Sequence, residues 1–161
     1  MNEKIYWYGY SKLNISPRKK AQLLDHYQNL SDIFQNEGFS LCTKNYHENF
    51  FTIYDDLYPK SLKYISDPPV VLFYEGTINF KRCVAVVGSR YPTAYGSEMA
   101  YSIGKKLAKN GYTVVSGLAK GIDSHAHKGA LEYGKTIAVL GNGLDYYYPK
   151  NNQNLQNKIR K

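Results

Sequence analysis

The chain has 161 residues, 43% hydrophobic and 15% aromatic, which suits one ordinary domain or two small ones. It holds no apolar stretch of membrane-spanning length, and its first ten residues, MNEKIYWYGY, lack the apolar run and small residues of a signal peptide. The formal net charge of +8 is unevenly held: residues 1–80 carry 8 Lys/Arg against 9 Asp/Glu, and residues 81–161 carry 13 against 4. Such an asymmetry points to a polyanionic partner such as nucleic acid or another phosphate ligand.

The first 48 residues read as short helices. Ser16-Pro17 is a helix start, with serine as cap and proline at the first helical position. Leu23, Leu24, Tyr27 and Leu30 then recur at helical spacing, and a second helix is expected from Asp32 to a stop at Gly38. Residues 49–80 change texture: FFTIY and VVLFYEG look like short strands, while Pro59, Pro68 and Pro69 permit only a brief helix near residues 61–65 between them. From residue 83 an apolar strand ending in a glycine turn occurs three times, in CVAVVGSR, YTVVSGLAKGID and KTIAVLGNGLDYYYP. The first two are joined by a helix over residues 94–110, with Met99, Ile103 and Leu107 four apart and Gly111 as its stop. The second and third are joined by a shorter helix capped by Asp123, with Ala126, Ala130 and Leu131 as its buried face and Gly134 as its end. Near-continuous apolar strands alternating with helices imply an α/β fold, a parallel sheet covered on both faces with right-handed crossovers.

In such a sheet, ligands bind beyond the carboxyl ends of the strands. The turns there are Gly88-Ser89-Arg90, the run Ser116-Gly117-Leu118-Ala119-Lys120-Gly121, and Gly141-Asn142-Gly143. Glycine lets backbone N–H groups approach a ligand, and the helix N-termini that follow favour negative charge. Arg90 can grip a phosphate with two hydrogen bonds, Lys120 adds a point charge, and Ser89 and Ser116 offer hydroxyls. No turn matches the G-x-G-x-x-G dinucleotide fingerprint or the Walker A pattern.

Asp123, His125 and His127 alternate in GIDSHAHKG, but residues two apart on a helix face different ways, so a metal site is not indicated. Ser116-Gly117 lacks the nucleophile elbow, and Asp55, Asp56 and Asp145 have no evident carboxylate partner, so no catalytic set is read. Of the 17 tyrosines, most are expected in the core; Tyr91 and Tyr146, beside the first and third turns, are kept as candidates for stacking on bases. Cys42 and Cys83 have no partner pattern and read as free thiols of a reducing cytoplasm.

The chain resembles the DNA-processing protein A (DprA/Smf) family of bacteria. The resemblance is carried in order by YPKSLKYISDPPVVLFYEG, VAVVGSRYPTAYG, TVVSGLAKGIDSHAHKGAL and TIAVLGNGLDYYYPKNN, over about residues 55–155. It implies the first half of an extended, three-layer Rossmann-like fold over residues 49–161, preceded by a small sterile-alpha-motif-like helical module over residues 1–48. It implies single-stranded DNA binding in a positively charged pocket, action in natural transformation with loading of the RecA recombinase, and no catalytic activity, cofactor or metal. On this sequence the family's DNA-contacting arginine falls on Arg90, its second turn on residues 116–123, and a lysine after Tyr-Pro on Lys150. His127 falls at an Ala-His position of structural role. Two departures stand out: NISPRK lacks the glycine usual in the family's N-terminal hairpin, and the family continues with a second Rossmann half beyond Lys161. A half-sheet would expose an unpaired edge and favour self-association, a homodimer included. Two other functions stay open at the same edge: a nucleoside monophosphate phosphoribohydrolase-type enzyme, whose paired phosphate-loop glycines and glutamate SGLAKG lacks, and a small-nucleotide sensor.

Overall fold

A computed structural model of the chain describes residues 3–161. The chain packs as two units that meet in sequence between Tyr74 and Glu75.

The first unit begins with three helices, α1 (Glu3–Ser11), α2 (Pro17–His26) and α3 (Leu30–Asn36). Ser16 caps α2 as its sequence implies, its hydroxyl oxygen accepting from the Lys19 N–H at 3.2 Å, with Pro17 at the first helical position. Helix α3 starts two residues ahead of Asp32, so that Leu30 reaches the core, and the chain leaves it at Gly38 with φ +69°. Helix α1 buries Trp7, Tyr8 and Tyr10 of its aromatic run, and that packing outweighs weak helix propensity. Tyr10 donates its hydroxyl to the Lys20 carbonyl at 2.5 Å, so the ring is apolar payload and the oxygen a tether. Strands β1 (Phe50–Thr52) and β2 (Val71–Phe73) pair antiparallel with Phe50 opposite Phe73. They are linked through a 3₁₀ turn, Lys60–Tyr64, that starts after Pro59. Phe50, Val70, Val71 and Phe73 join the same core as α1 and α3. Residues 49–74 thus pack with the helical module, whereas a division after residue 48 was expected.

The second unit is a three-stranded parallel sheet in the order β3 (Cys83–Ala85), β4 (Thr113–Ser116), β5 (Thr136–Ala138). Helix α4 (Ala94–Lys109) connects the first two strands and α5 (Ile122–Ala130) the second two; a 3₁₀ turn (Lys150–Asn152) leads into α6 (Gln153–Ile159). Val114 of the central strand is fully buried against Ala108, Ala126 and Ala130, so α4 and α5 lie on one face. Strands taken in sequential order with crossovers of one hand require that arrangement. Register puts Ala85, Val115 and Ile137 side by side on the opposite face. Two residues on along the edge strands, Val87 is 69% and Val139 58% exposed. The expectation of cover on both faces therefore holds for one face of these three strands.

Helix α4 matches its expected span, but its expected apolar face does not. Met99 and Ile103 are exposed, and the buried residues are Ala100, Gly104 and Ala108. The reason is close approach. A Cβ on Gly104 would lie 2.2 Å from the Ala126 carbonyl oxygen, and one on Gly129 would lie 2.0 Å from that of Tyr101. The two helices touch backbone to backbone, and only small residues fit the seam.

Candidate functional site

Parallel strands place their three following turns along one edge of the sheet, and specific contacts tie the turns together. The Ser116 hydroxyl donates to the Val86 carbonyl at 2.6 Å, and the Val139 N–H donates to the Ser116 carbonyl at 2.9 Å. Gly121 brings the first two turns into contact. It has φ +79°, and a Cβ there would meet the Ser89 carbonyl oxygen at 2.3 Å and the Arg90 carbonyl carbon at 2.9 Å. Only glycine satisfies both demands. The Ile122 N–H then donates to the Ser89 carbonyl at 3.1 Å. Arg90 and Lys120, thirty residues apart in sequence, therefore stand on touching backbone segments.

Both side chains are exposed, and neither has an ion-pair partner among the described residues. Lys150 is likewise exposed and unpaired. It sits two residues before Asn152, whose Nδ2 donates to the Leu118 carbonyl and to the Ser124 hydroxyl, both at 2.8 Å. Three cations from three segments thus share the edge, and none of them is ion-paired among the described residues. Clustered unpaired cations attract polyanions.

The backbone plays a smaller part than the glycines suggest. Asp123 does not cap α5; the N-cap is Gly121. Its carboxylate turns back under the second turn, where Oδ2 accepts from the N–H of Gly117 at 3.1 Å and of Ala119 at 3.4 Å. An internal anion thus takes two of the second turn's donors, which shifts the weight of the site toward its side-chain cations.

Among the hydroxyls, that of Ser116 is buried and spent on Val86, which corrects the expectation that it faces a ligand. That of Ser89 is exposed and accepts from the Tyr91 N–H at 3.0 Å. Gly88 abuts the Ile122 side chain. Gly141 has open space around it, while Gly143 faces the Tyr146 ring, held where the Asn142 amide donates to the Tyr146 carbonyl at 2.9 Å. Tyr91 and Tyr146 are 88% and 71% exposed.

Two residues without a signal in the spacing hold the site. Leu118 has φ +57°, a left-handed conformation rare for a bulky side chain, yet it is fully buried. Asn152 grips its carbonyl from 34 residues away. His125 and His127 diverge: His125 Nδ1 lies 2.9 Å from the Gly121 carbonyl at the turn, while His127 is fully buried with Nδ1 2.8 Å from the Thr136 hydroxyl. Burial pulls His127 down to about 4, against the attraction of Asp123 and a backbone hydrogen bond at Ser116.

The fold and edge define an α/β module with a basic glycine-turn site. Residues 49–161 match the family model described as DNA recombination-mediator protein A. The chain belongs to that family. It is 45% identical over 117 residues to Protein Smf of Synechocystis, covering 68% of this chain and 29% of that protein. It is 41% identical over 145 residues to the DNA processing protein DprA of Streptococcus pneumoniae, covering 88% and 49%. The solved structure of the latter protein superposes with a TM-score of 0.66 at 36% identity, over 98% of this chain and 58% of that one. A structure concerned with the single-stranded DNA binding mode of the Helicobacter pylori protein matches with a TM-score of 0.58 at 33% identity, over 69% and 52%. The chain spans at most about half the length of these curated relatives. Among the described residues, no helix is long and apolar enough to cross a membrane.

Proposed function

We propose that the chain is a single-stranded DNA-binding module of the DprA/Smf type, which holds the strand at the turn edge through Arg90, Lys120 and Lys150 without catalysis. The observation that supports the reading is the Gly121 contact, which brings the backbone segments of Arg90 and Lys120 together, neither side chain being ion-paired among the described residues. Phosphates fit such a row of cations, and the exposed Tyr91 and Tyr146 rings suit bases that are not already stacked in a duplex. The reading is non-enzymatic because Asp123, the carboxylate under the second turn, is committed to two backbone N–H groups and His127 lies buried behind it. The resemblance adds natural transformation in the cytoplasm, with RecA as partner and a homodimer as assembly, as properties of the longer protein.

Fluorescence anisotropy of labelled single-stranded and duplex oligonucleotides tests this. Single strands should bind more tightly than duplex, and Arg90→Ala should weaken them about tenfold or more, the scale of a charge-assisted hydrogen-bond pair. Equal affinity of wild type and Arg90→Ala would sink the site assignment. Tight binding of a mononucleotide without any DNA binding would favour the sensor reading instead.

A further inference from the structure

The outer side of the helical layer carries a cleft of about 520 Å³ between α4, α5 and α6. Its floor is formed by Tyr101, Leu131 and Leu155, and its rim by Lys128, Lys158 and Lys161. The helices present these groups in pairs: Lys128 with Leu131, and Leu155 with Lys158, are each three residues apart and so share a helix face. Glu132 is the one acid of the lining, and its carboxylate is held by Lys105 at 2.7 Å. The three rim lysines have no ion-pair partner among the described residues. On the α5 side the cleft lies away from the turn edge, since α5 rises about 13 Å between Ile122 and Leu131.

A ligand for this cleft must bring negative charge to the rim and apolar groups to the floor. A nucleic-acid strand meets only the first condition well, because its backbone is polar and the floor's one ring, Tyr101, is set among leucines that offer no stacking platform for successive bases. An acidic peptide with apolar anchors three or four residues apart meets both, its leucine or phenylalanine side chains on the floor and its carboxylates at the lysines. We infer that this cleft docks an acidic, apolar-anchored peptide segment of a protein partner. The apolar floor supplies affinity, and the lysines supply orientation and speed of encounter.

The probe is a fluorescein-labelled synthetic peptide of alternating glutamate and leucine pairs, with an all-glutamate peptide of equal length beside it. Binding is read by anisotropy at 0.15 M salt to the full chain and to the double variant Lys128→Glu, Lys158→Glu. The glutamate–leucine peptide should bind at least tenfold tighter than the all-glutamate one and lose at least tenfold in the variant. A photo-crosslinker on the peptide should label α5 and α6, a readout that holds even where the variant folds poorly. Equal binding of both peptides, or crosslinks confined to the turn edge, would overturn the proposal. So would a tenfold loss of oligonucleotide binding in a double variant whose melting is unchanged, which would make the cleft part of a DNA path.

Discussion

Asp123 brings a carboxylate to the place where the second turn gathers its backbone donors, and His127 lies buried behind it on the same helix. Thr136 donates its hydroxyl to the Val114 carbonyl at 2.6 Å, so it can only accept from His127, which fixes the proton of the neutral ring on Nδ1. A second proton must enter at Nε2, in the core. The unfolded ring titrates near 6.5 and the folded one near 4. The unfolded chain therefore binds more protons between those values, and stability present above pH 6.5 falls as the pH drops through 4. The difference amounts to about 3 kcal/mol. Urea unfolding of the sheet unit at pH 7.5, 5.5 and 4 should record that loss, and a His127→Gln variant should show a flatter profile; parallel profiles would refute the role. Leu118 pits two effects against each other. Glycine would relieve backbone strain of about 1 kcal/mol, yet it removes a fully buried side chain worth roughly 2–5 kcal/mol. Burial wins, so Leu118→Gly should lower stability by about 2 kcal/mol or more in the same titration.

Helix α4 shows which levels of structure were written in the sequence. Its span was legible as residues 94–110, because stops are local: Gly111 takes φ +74°, and at the other end the structure adds a cap, Thr93 Oγ1 accepting from the Gly96 N–H at 3.1 Å. Its buried face was not, because Met99 and Ile103 follow the helical period as well as Ala100 and Gly104 do. The choice is made by α5, whose Gly129 and Ala126 admit the small-residue stripe. The turns divide the same way. Glycine-rich sequence located the turn edge and Arg90, whereas the Asp123 carboxylate turned inward and the Asn152 clamp depend on contacts made only after folding. Helix α1 was illegible because the aromatic packing that stabilises it is made only in the folded chain. The seam gives the test at this scale. Alanine at residue 129 should gain up to about 1 kcal/mol in helix propensity. Its Cβ would stand 2.0 Å from the Tyr101 carbonyl oxygen, a backbone atom that cannot swing aside. Overpacking costs about 1–3 kcal/mol, so Gly129→Ala should destabilise on balance. A higher melting temperature for that variant would mean the helices are not in contact as described.

Across the whole molecule the excess positive charge is confined to one stretch, with 13 Lys/Arg against 4 Asp/Glu in residues 81–161. The proposed DNA binding could use that charge in two ways, and salt separates them. If the strand spreads over the basic surface and meets all thirteen cations, each phosphate contact releases counterions and the log–log salt slope approaches about −9. If it is held by Arg90, Lys120 and Lys150 alone, the slope is about −2, and raising salt from 50 to 200 mM costs roughly twentyfold in affinity. The proposed site calls for the second. Of the thirteen cations, Lys105 is paired with Glu132 and Arg160 with Glu75 at 2.5 Å, and Arg82 lies over the Tyr112 ring at 4.3 Å, so these three are less available to a strand. Anisotropy titrations at four salt concentrations should give the shallow slope for wild type, reduced by about 0.7 in Arg90→Ala. Lys105→Ala should leave both slope and affinity nearly unchanged. A steep slope that Arg90→Ala does not alter would show that the strand is drawn to the basic half as a whole and not to the turn edge.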